Sequence, residues 1–385
     1  MVSTDLLWEI GILLAIIANV IPILYYLIIN FYSRDNEKKM NINFQPPVTI
    51  FLPVKNESLL IEDKLREVLD MTYEQNNISI LIIDSHSNDD TAEIAKTFLK
   101  KSANGIKWEV IEAKRFGKTS AVNDAIEIIK TDYMIMMDAE AILHPRCLVD
   151  IIGYFEDPEI GAVCGQIKVN KNDPDYHYRE RFNHLRTSES FIDSTPIFEG
   201  SICGFRLKSI GEDRLDENIN ADDSQLAIIV RKNGFKSLMK SHIKFIEAVP
   251  NKQSRKKRSL RRSQGLIRVL WKHKKMTFLN FRYGAIYMNN IYFYILMPWI
   301  MFFSFVLVSF SFSLDIMKNQ NIDFTFEIYV DILLIALTVI SRFIREYIYG
   351  LWTLAKAQVY LIRGKQLNIW ETDYSIRKEI KNIRN

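Results

Sequence analysis

Two long uncharged stretches constrain this chain more than any other feature of its sequence. Ile10–Ser33 carries no charged residue over 24 positions, and Tyr283–Leu314 carries none over 32. A helix rises about 1.5 Å per residue, so each stretch is long enough to cross a hydrocarbon core of about 30 Å. A cleaved signal peptide fits the first stretch poorly, because no basic leader precedes it and no small-residue cleavage site follows. We therefore expect two membrane-spanning helices, with Tyr283–Tyr292 lying at the membrane interface.

Two further segments near the C-terminus are less uniformly apolar. Ile328–Ser341 is interrupted by Asp331, and we interpret it as a third span. Tyr347–Ile362 contains Lys356 and Gln358, so an amphipathic interfacial helix is expected there rather than a fourth span. The expected organisation is a transmembrane helix in residues 1–33, a large domain in residues 34–275, and two transmembrane helices, an interfacial helix and a basic tail in residues 276–385.

The charges beside these spans predict the orientation of the chain. Acidic residues precede the first span and basic residues follow it, while the loop 315–327 holds three acidic residues against one lysine. The tail from Arg363 onwards carries several lysines and arginines. Cytoplasmic loops carry the excess of basic residues in membrane proteins. The chain is therefore expected to be a multi-pass protein of the cell membrane, with its N-terminus outside and the domain 34–275 in the cytoplasm.

Cysteine usage and net charge exclude several classes of protein. Cys147, Cys164 and Cys203 are well separated and do not cluster with histidine. This pattern excludes a disulfide framework and a structural zinc site, and it fits a reducing compartment. The formal net charge of +4 is too small to indicate a nucleic-acid-binding protein.

Between Val48 and about Lys240, short apolar runs alternate with helical patterns. This alternation predicts an α/β domain with a mostly parallel sheet that is covered on both faces. In such sheets the ligand lies beyond the carboxyl ends of the strands. No GxGxxG and no GxxxxGK[ST] follows a strand, which argues against a dinucleotide dehydrogenase and a P-loop ATPase. The expected strands are Val48–Val54, Ile78–Asp84, Trp108–Ala113 and Tyr133–Asp138.

Acidic residues end two of these strands, at Asp84 and Asp138. One alone would be explained as a helix cap, but two in one sheet favour a nucleotide and metal site. In Asp138-Ala139-Glu140 the two carboxylates follow the end of a strand and can both reach one hard cation. Such a cation is Mg²⁺ or Mn²⁺, which bridges to phosphate oxygens.

Five short motifs follow one another between Val48 and Gly265 in this chain: Pro53-Val-Lys-Asn56-Glu57, Asp84-Ser85-His-Ser-Asn-Asp89-Asp-Thr91, Gly117-Lys118-Thr-Ser-Ala-Val-Asn123, Asp138-Ala-Glu140 and Asp222-Asp223. In order and spacing they resemble the motifs of the family 2 glycosyltransferases, including the DxD motif. Members of that family have the GT-A fold, a Rossmann-like nucleotide-sugar-binding domain. Ser85 and Glu140 each depart from the family pattern by standing where the family has an aspartate, and Asp222-Asp223 stands where the family has a Glu-Asp pair.

The resemblance implies roles for particular residues. Asp223 is implied to be the general base that deprotonates an acceptor hydroxyl, which gives inversion at the sugar. On the sequence alone, an N-cap of a helix from about Gln225 explains Asp222-Asp223 equally well. A divalent ion held by Asp138, with Glu140 directly or through water, would stabilise the leaving diphosphate. The residues implied to bind the nucleotide-sugar donor are Pro53, Glu57, Asp84, Lys118, Asp138, Arg261 and Arg262.

A sixth motif is imperfect. Many membrane-bound members carry Q-x-x-R-W before their transmembrane helices, whereas this chain has Arg258-Ser-Leu-Arg261-Arg262. In processive polysaccharide synthases of the family, that tryptophan helps form the acceptor end of the site. Its replacement by Arg262 argues against polymer synthesis.

The segment Lys252–Lys275 holds eleven lysines and arginines and no acidic residue. A solvated helix face and nucleic-acid binding are alternatives for such a stretch. Beside a transmembrane helix, on its cytoplasmic side, anionic lipid headgroups are the expected partner. Asp173–Asp193 is expected to be a loop that shapes the substrate pockets.

Together these features predict a membrane-bound, metal-dependent, inverting glycosyltransferase of the hexosyltransferase type. Its acceptor is expected to be lipid-linked or embedded in the membrane. A processive polysaccharide synthase whose channel forms by oligomerisation is the alternative within the enzymes. An inactive nucleotide-sugar-binding scaffold is the non-enzymatic alternative, since Ser85, Glu140 and Arg262 depart from the family pattern.

Overall fold

The computed structural model describes residues 4–32, 40–171, 173, 176–249, 251–318, 341–367 and 373–384. The strands are, in chain order, β1 (Val48–Val54), β2 (Ile78–Asp84), β3 (Lys107–Glu112), β4 (Tyr133–Met137), β5 (Ile142–Leu143), β6 (Ile160–Ile167), β7 (Ile202–Arg206) and β8 (Lys236–Ile246). The helices are α1 (Thr4–Tyr32), α2 (Ile61–Leu69), α3 (Thr91–Ser102), α4 (Lys118–Ile128), α5 (Cys147–Ile152), α6 (Tyr176–Ile192), α7 (Leu207–Ile210), α8 (Asp222–Lys232), α9 (Lys252–Lys272), α10 (Phe281–Ile291), α11 (Met297–Lys318), α12 (Arg342–Ile362) and α13 (Tyr374–Arg384).

One eight-stranded sheet, in the order β3-β2-β1-β4-β7-β6-β8-β5, forms the centre of the described structure. β1 pairs in parallel with β2 and β4, with Val48 opposite Ile78 and Tyr133. β7 runs antiparallel to β4 and β6, and β5 runs antiparallel to β8. The expected α/β architecture with a mostly parallel sheet is therefore present: six strands run in one direction, and β7 and β5 run in the other. Apolar runs indicate that a strand is buried, and they do not indicate its direction.

Both faces of the sheet are covered by helices. Along β1, Ile50 and Leu52 point into a core that includes Leu65 of α2, while Phe51 points into the opposite core with Ala121 of α4. Successive side chains of a strand alternate between faces, so a strand buried on both sides must be apolar throughout. This explains why the first strand appears in the sequence as a nearly continuous apolar run.

The strand bounds expected from the sequence agree closely with the structure for the first four strands of the chain. β1 and β2 have the expected bounds, and β4 ends at Met137, one residue before Asp138. The expected loop Asp173–Asp193 was wrong, because it contains the helix α6. The buried face of α6 is polar, so no apolar periodicity marks it: its buried residues are Asn183, Thr187, Ser188, Glu189 and Ser190.

Two helical stretches, Asp5–Tyr32 and Phe281–Leu314, are long and apolar enough to cross a membrane. Their helices α1 and α11 pack antiparallel, because Gly11 lies against Val308, whereas Asn19, further along α1, reaches the sulfur of Met301. Small residues at such crossings let membrane helices approach closely. The expected third span, apart from Ser341, lies outside the described residues.

The helices after the sheet domain are anchored to it. α10 buries Tyr283 and Tyr287 within the protein, so only part of the segment expected at the membrane interface is exposed. α12 is amphipathic, as expected: Leu354 is buried and Trp352 is exposed. The C-terminal helix α13 packs through Ile376 against the sheet domain. These contacts bring residues from the end of the chain to the carboxyl edge of the sheet.

Candidate active site

A cavity of about 560 Å³ lies beyond the carboxyl ends of β1 and β4, where α9, α12 and α13 meet the sheet domain. Asp84 does not line it; its carboxylate accepts hydrogen bonds from the backbone N–H and the hydroxyl of Ser87. The other eight residues predicted from the sequence do line it: Pro53, Glu57, Lys118, Asp138, Glu140, Asp223, Arg261 and Arg262.

Lys118 is the cation nearest to the strand ends. It begins α4 directly after Gly117, whose φ of +112° is a conformation that favours glycine. Its Nζ lies 2.8 Å from Asp138 Oδ1 and 3.4 Å from Asp222 Oδ2. Burial lowers the pKa of Lys118, but Asp138 and Asp222 outweigh burial and raise this pKa above its ordinary value. Lys118 is therefore a fixed positive charge between two carboxylates.

Glu140 is held by arginines. Its two carboxylate oxygens accept hydrogen bonds of 3.1 and 2.9 Å from Nη2 of Arg258, and Nη1 of Arg377 lies 2.9 Å from Oε2. Burial raises the pKa of Glu140, but the two arginines lower it to about 2. Glu140 is therefore ionised, and its oxygens are already engaged.

The carboxylate oxygens around Lys118 are suitable ligands for a hard divalent cation. Asp138 and Asp222 both direct a carboxylate oxygen towards the ammonium group of Lys118. The buried Oδ2 of Asp222 accepts no hydrogen bond from any described residue. Oxygen ligands of this kind suit Mg²⁺ and Mn²⁺. Within the described ranges, no three His, Cys, Asp or Glu side chains form a metal-binding group by themselves. A metal here would need further ligands, such as phosphate oxygens.

Asp222 and Asp223 are the first two residues of α8, and the N-cap position belongs to Ala221. The expected helix start at about Gln225 was wrong, and neither aspartate is the N-cap residue. Asp223 Oδ1 accepts a 2.7 Å hydrogen bond from the N–H of Ser224. Burial, then the charge of Asp222, raise the pKa of Asp223 to about 7, although Lys118 opposes them. A carboxylate with this pKa is suited to accept a proton near neutral pH.

The arginines of the imperfect sixth motif share one face of α9. Arg258, Arg261 and Arg262 are three or four residues apart or adjacent, and all three line the cavity. Nη2 of Arg262 lies 3.8 Å from Glu247 Oε2, and the backbone carbonyl of Arg261 accepts a hydrogen bond from Asn220. The residue that replaces the family's glutamine, Arg258, binds Glu140.

Arg377 is a charged cavity residue that sequence reasoning missed. Its side chain is 3% exposed, and Nε and Nη2 both donate to the carboxylate of Glu57 while Nη1 faces Glu140. The one signal in the sequence is that Trp370-Glu-Thr372, followed by Arg377, resembles a terminal W-x-x-T element of membrane synthases of the family. Otherwise Arg377 is one of several basic residues of the C-terminal tail, which the sequence analysis used only to predict membrane topology.

Two family models match the chain. The model of glycosyl transferase family 2 matches residues 49–213, and that of glycosyl transferase family group 2 matches residues 133–339, which is more than half of the chain. The fold and the cavity at the carboxyl edge of the sheet agree with these matches. This chain belongs to glycosyl transferase family 2, and its sheet domain has the GT-A fold.

Named proteins resemble parts or nearly all of the chain. Poly-beta-1,6-N-acetyl-D-glucosamine synthase of Staphylococcus aureus (strain COL) is 32% identical over 139 residues, which are 36% of this chain and 32% of that protein. The protein of the same name from Staphylococcus epidermidis is 28% identical over 174 residues, or 43% of this chain and 41% of that protein. The chain thus spans about a third of the length of the first relative.

A solved structure resembles the whole architecture. Mannosyltransferase PcManGT from Pyrobaculum calidifontis, in complex with GDP-Man and Mn²⁺, superposes with a TM-score of 0.81 at 21% identity. The superposition covers 94% of this chain and 100% of that chain. The likeness therefore includes helices outside the sheet domain.

Proposed function

We propose that this protein transfers a sugar from a nucleotide-sugar donor to a hydroxyl group of a lipid-linked or membrane-embedded acceptor, with inversion. The observation that carries the proposal is one cavity that contains Asp138, Lys118 and Asp223 and extends to residues of α12. Charged groups that suit a diphosphate thus lie in the same space as a helix with apolar exposed residues.

In the proposed reaction, Asp223 accepts the proton of the acceptor hydroxyl. The hydroxyl oxygen forms a bond to the anomeric carbon while the bond from that carbon to the diphosphate breaks. Attack opposite to the leaving group inverts the configuration. Lys118, Arg261 and Arg262 supply positive charge for the departing diphosphate, which gains negative charge as the bond breaks. Pro53, Glu57 and Asp84 are proposed to bind the rest of the donor, Asp84 from outside the cavity lining.

We assign a divalent ion, Mg²⁺ or Mn²⁺, to Asp138, with Glu140 acting directly or through water. When bound, the ion supplies a Lewis acid for the phosphate oxygens of the donor. The carboxylate oxygens around Lys118 support this assignment, as does the Mn²⁺ bound together with GDP-Man in the mannosyltransferase structure. Because Arg258 and Arg377 already neutralise Glu140, Asp138 is proposed as the direct ligand.

The proposed setting is a multi-pass protein of the cell membrane, with the N-terminus outside and the sheet domain in the cytoplasm. Two observations support it. The helices α1 and α11 pack antiparallel. In addition, Tyr25 and Asn30 near the end of α1 contact α6, which places this end of α1 beside the sheet domain. The native cysteines are buried, so single introduced cysteines can report accessibility. In intact cells, Asp323→Cys should react with an impermeant thiol reagent and Asp173→Cys should not. The reverse pattern would overturn this topology.

The membrane surface is proposed to be a second partner. Phe281 is 92% exposed next to the basic segment Lys252–Lys275, and Trp352 and Ile348 are exposed on α12. Apolar residues beside lysine and arginine are typical of segments that lie among anionic headgroups. We propose this role for α9 and α12 and no binding of nucleic acid.

Polymer synthesis is the second candidate. The name of the staphylococcal relatives favours it, although each covers less than half of this chain. Arg262 in place of the family's tryptophan favours a single transfer instead. Assembly into an oligomer would be needed if the described helices are to enclose a channel.

A donor screen tests the proposal. Purified full-length protein in lipid extract is incubated with a panel of nucleotide-sugars and Mg²⁺ or Mn²⁺, and release of nucleoside diphosphate is measured. One donor should be turned over only when lipid extract is present, and the product should be one sugar longer than its acceptor. Long polymers would favour the second candidate, and binding of a nucleoside diphosphate without turnover of any donor would favour an inactive scaffold.

A further inference from the structure

The turn that carries the proposed metal ligands is held from outside the cavity as well as from within it. It comprises Asp138–Ala141 and is closed by a 3.3 Å hydrogen bond from the N–H of Ala141 to the carbonyl oxygen of Asp138. Asp138, Ala139 and Glu140 line the cavity, whereas Ala141 does not. Side chains that contact the turn without lining the cavity can act on a bound donor only through the turn.

Two cations from distant parts of the chain meet at the backbone of this turn. Nζ of Lys64, in α2, donates to the carbonyl oxygen of Ala141 at 2.7 Å. Nη2 of Arg384, the last residue of α13, donates to the carbonyl oxygens of Ala139 and Ala141 at 3.1 and 3.0 Å. Neither side chain lines the cavity. The residues on both sides of Glu140 are therefore bound by charge-assisted hydrogen bonds, which are stronger than neutral ones.

Glu67 connects the two cations. Its Oε1 accepts hydrogen bonds from Lys64 at 2.8 Å and from the N–H of Leu143 at 3.1 Å, and its Oε2 accepts one from Arg384 at 3.3 Å. Leu143 belongs to β5, the strand that follows the turn. We refer to Lys64, Glu67 and Arg384 as the turn-binding cluster. The cluster contacts both the turn and the strand after it.

Stability alone does not account for a lysine in this place. Lys64 is fully buried, in a helix whose other buried residues are Ile61, Leu65 and Val68. Burial lowers the pKa of Lys64 below its ordinary value, although the charge of Glu67 opposes this. Apolar side chains in place of a buried ion pair are often as stable or more stable. The contact of Lys64 with the turn therefore favours a role in fixing the backbone there.

Contacts inside the cavity cannot fix the turn in the same way. Lys118 binds Asp138, and a divalent ion at Asp138 would compete with Lys118 for that carboxylate. The turn-binding cluster acts on backbone carbonyl groups instead, so it does not compete with a ligand. Groups that orient metal ligands from outside typically change metal affinity about 10- to 100-fold when they are removed.

We propose that Lys64 and Arg384 are positioning residues that fix the backbone of the Asp138–Ala141 turn and so direct its two carboxylates into the cavity. The part that concerns the metal rests on the proposed function, whereas the fixed turn is a property of the protein without any ligand. The helix α13 then contributes to the site twice, through Arg377 inside the cavity and through Arg384 outside it.

Hydrogen–deuterium exchange of the full-length protein in phosphatidylcholine nanodiscs, without any ligand, tests the fixed turn. The N–H groups of Ala141 and Leu143 are the reporters, because both donate within this region. We expect Lys64→Met and Arg384→Met each to increase exchange of a peptide that contains both N–H groups about tenfold, with α8 unchanged. Arg384→Lys keeps a cation and should restore slow exchange. If Lys64→Met does not fold, the two variants of Arg384 decide alone.

Arg66→Met and Lys381→Met are the matched controls. Each removes an exposed cation from α2 or α13 that does not contact the turn, since Arg66 pairs with Glu62 and Lys381 donates to the carbonyl oxygen of Leu59. Both should exchange as the unchanged protein does. Unchanged exchange of the turn in the variants of the cluster, or equal acceleration in the turn and in α8, would overturn the proposal.

The dependence of transfer on Mn²⁺ tests the part that concerns the metal. In Arg384→Met the Mn²⁺ concentration that gives half the maximal rate should rise about tenfold, while kcat at saturating Mn²⁺ falls less than about threefold. A loss of kcat with an unchanged Mn²⁺ requirement would overturn this part, because lower stability alone has that effect. The exchange measurement needs no donor, so its failure can be distinguished from failure of the donor screen.

Discussion

The two walls of the donor side of the cavity have opposite charge. The wall built from the sheet domain up to α8 is acidic, and the wall built from α9 and α13 is basic. The acidic residues include Glu57, Asp138, Glu140, Asp222 and Asp223, and the basic ones include Arg258, Arg261, Arg262 and Arg377. Lys118 is the exception, because it is a cation within the acidic wall.

This difference shows how the site depends on tertiary docking. Glu140 pairs with Arg258 and Arg377, and Glu57 pairs with Arg377, so the buried ion pairs connect the two walls. A buried charge without a partner costs roughly several kcal/mol. Neither wall would therefore keep this arrangement of charges without the other. The C-terminal helices are therefore part of the site, in addition to being candidates for membrane attachment.

Among substitutions in the acidic wall, replacement of Asp138 should lower the transfer activity most. Asp138→Ala removes both the proposed metal ligand and the partner of Lys118, and we expect transfer to fall about a thousandfold. EDTA should abolish activity in the unchanged protein. The measurement is release of nucleoside diphosphate with Mg²⁺ or Mn²⁺. Asp150→Asn, in α5 and outside the cavity lining, should retain normal activity. Full activity in EDTA would rule out the metal role.

Asp223 should have the next largest effect. Asp223→Asn should reduce turnover about a hundredfold while donor binding persists, because only the proton acceptor is lost. In the unchanged protein the rate should rise with pH through about 7, where Asp223 loses its proton. A near-normal rate of the variant would mean that the acceptor is already anionic, as a polyprenyl phosphate is, or that another residue is the base. For an anionic acceptor, the rate would follow ionisation of its phosphate instead.

Asp223→Asn, which should lower turnover, should raise the stability of the folded protein above neutral pH. Burial raises the pKa of Asp223 to about 7, whereas an aspartate in the unfolded chain titrates near about 4. The folded state therefore binds more protons between these values, and its stability decreases as pH rises through this window. Asp223→Asn removes this penalty, so thermal unfolding at pH 8 should occur at a higher temperature than in the unchanged protein. A lower Tm would contradict the raised pKa.

The basic wall can be broken at Arg377. Arg377→Gln leaves Glu57 without its buried partner and leaves Glu140 with Arg258 alone, and we expect a loss of about 3 kcal/mol in the free energy of unfolding. Donor affinity should fall about tenfold, since a cation that lines the cavity is removed. Denaturant unfolding and binding of nucleoside diphosphate measure the two effects. Lys378→Ala changes the next residue, which is exposed, and should alter neither.

The smallest effect is expected at Gly200, which lies beneath the acidic wall. A Cβ at this position would be 3.2 Å from Asp223 Oδ2 and 3.5 Å from Lys118 Nζ. Gly200→Ala should therefore shift Asp223 slightly and lower kcat a few-fold without changing the fold. Gly350→Ala is the comparison, because its Cβ would meet only Tyr178 Cε2 at 3.9 Å. Equal kcat values for the two variants would mean that the position of Asp223 is not critical.

Elements with local signals were predictable from the sequence. β1 and β2 are nearly continuous apolar runs, the first followed by Lys55 and the second ended by Asp84, and their expected bounds hold because burial on both faces favours apolar residues throughout. The uncharged stretches that became α1 and α11 were recognisable for the same reason. α6 was missed, because its buried face is polar and is satisfied by partners far away in sequence, as in the hydrogen bond from Asn183 to the carbonyl of Ile167.

Motif spacing and apolar runs are local properties, so they were enough to predict the family, the α/β order of the sheet domain and most of the acidic residues of the site. The partners of those acidic residues depend on the packing of distant segments against one another. Arg377 follows Glu57 by 320 residues, and nothing in their spacing predicts that they meet. Pairing of buried charges is decided by which surfaces dock, since only docking removes the water that would otherwise solvate them.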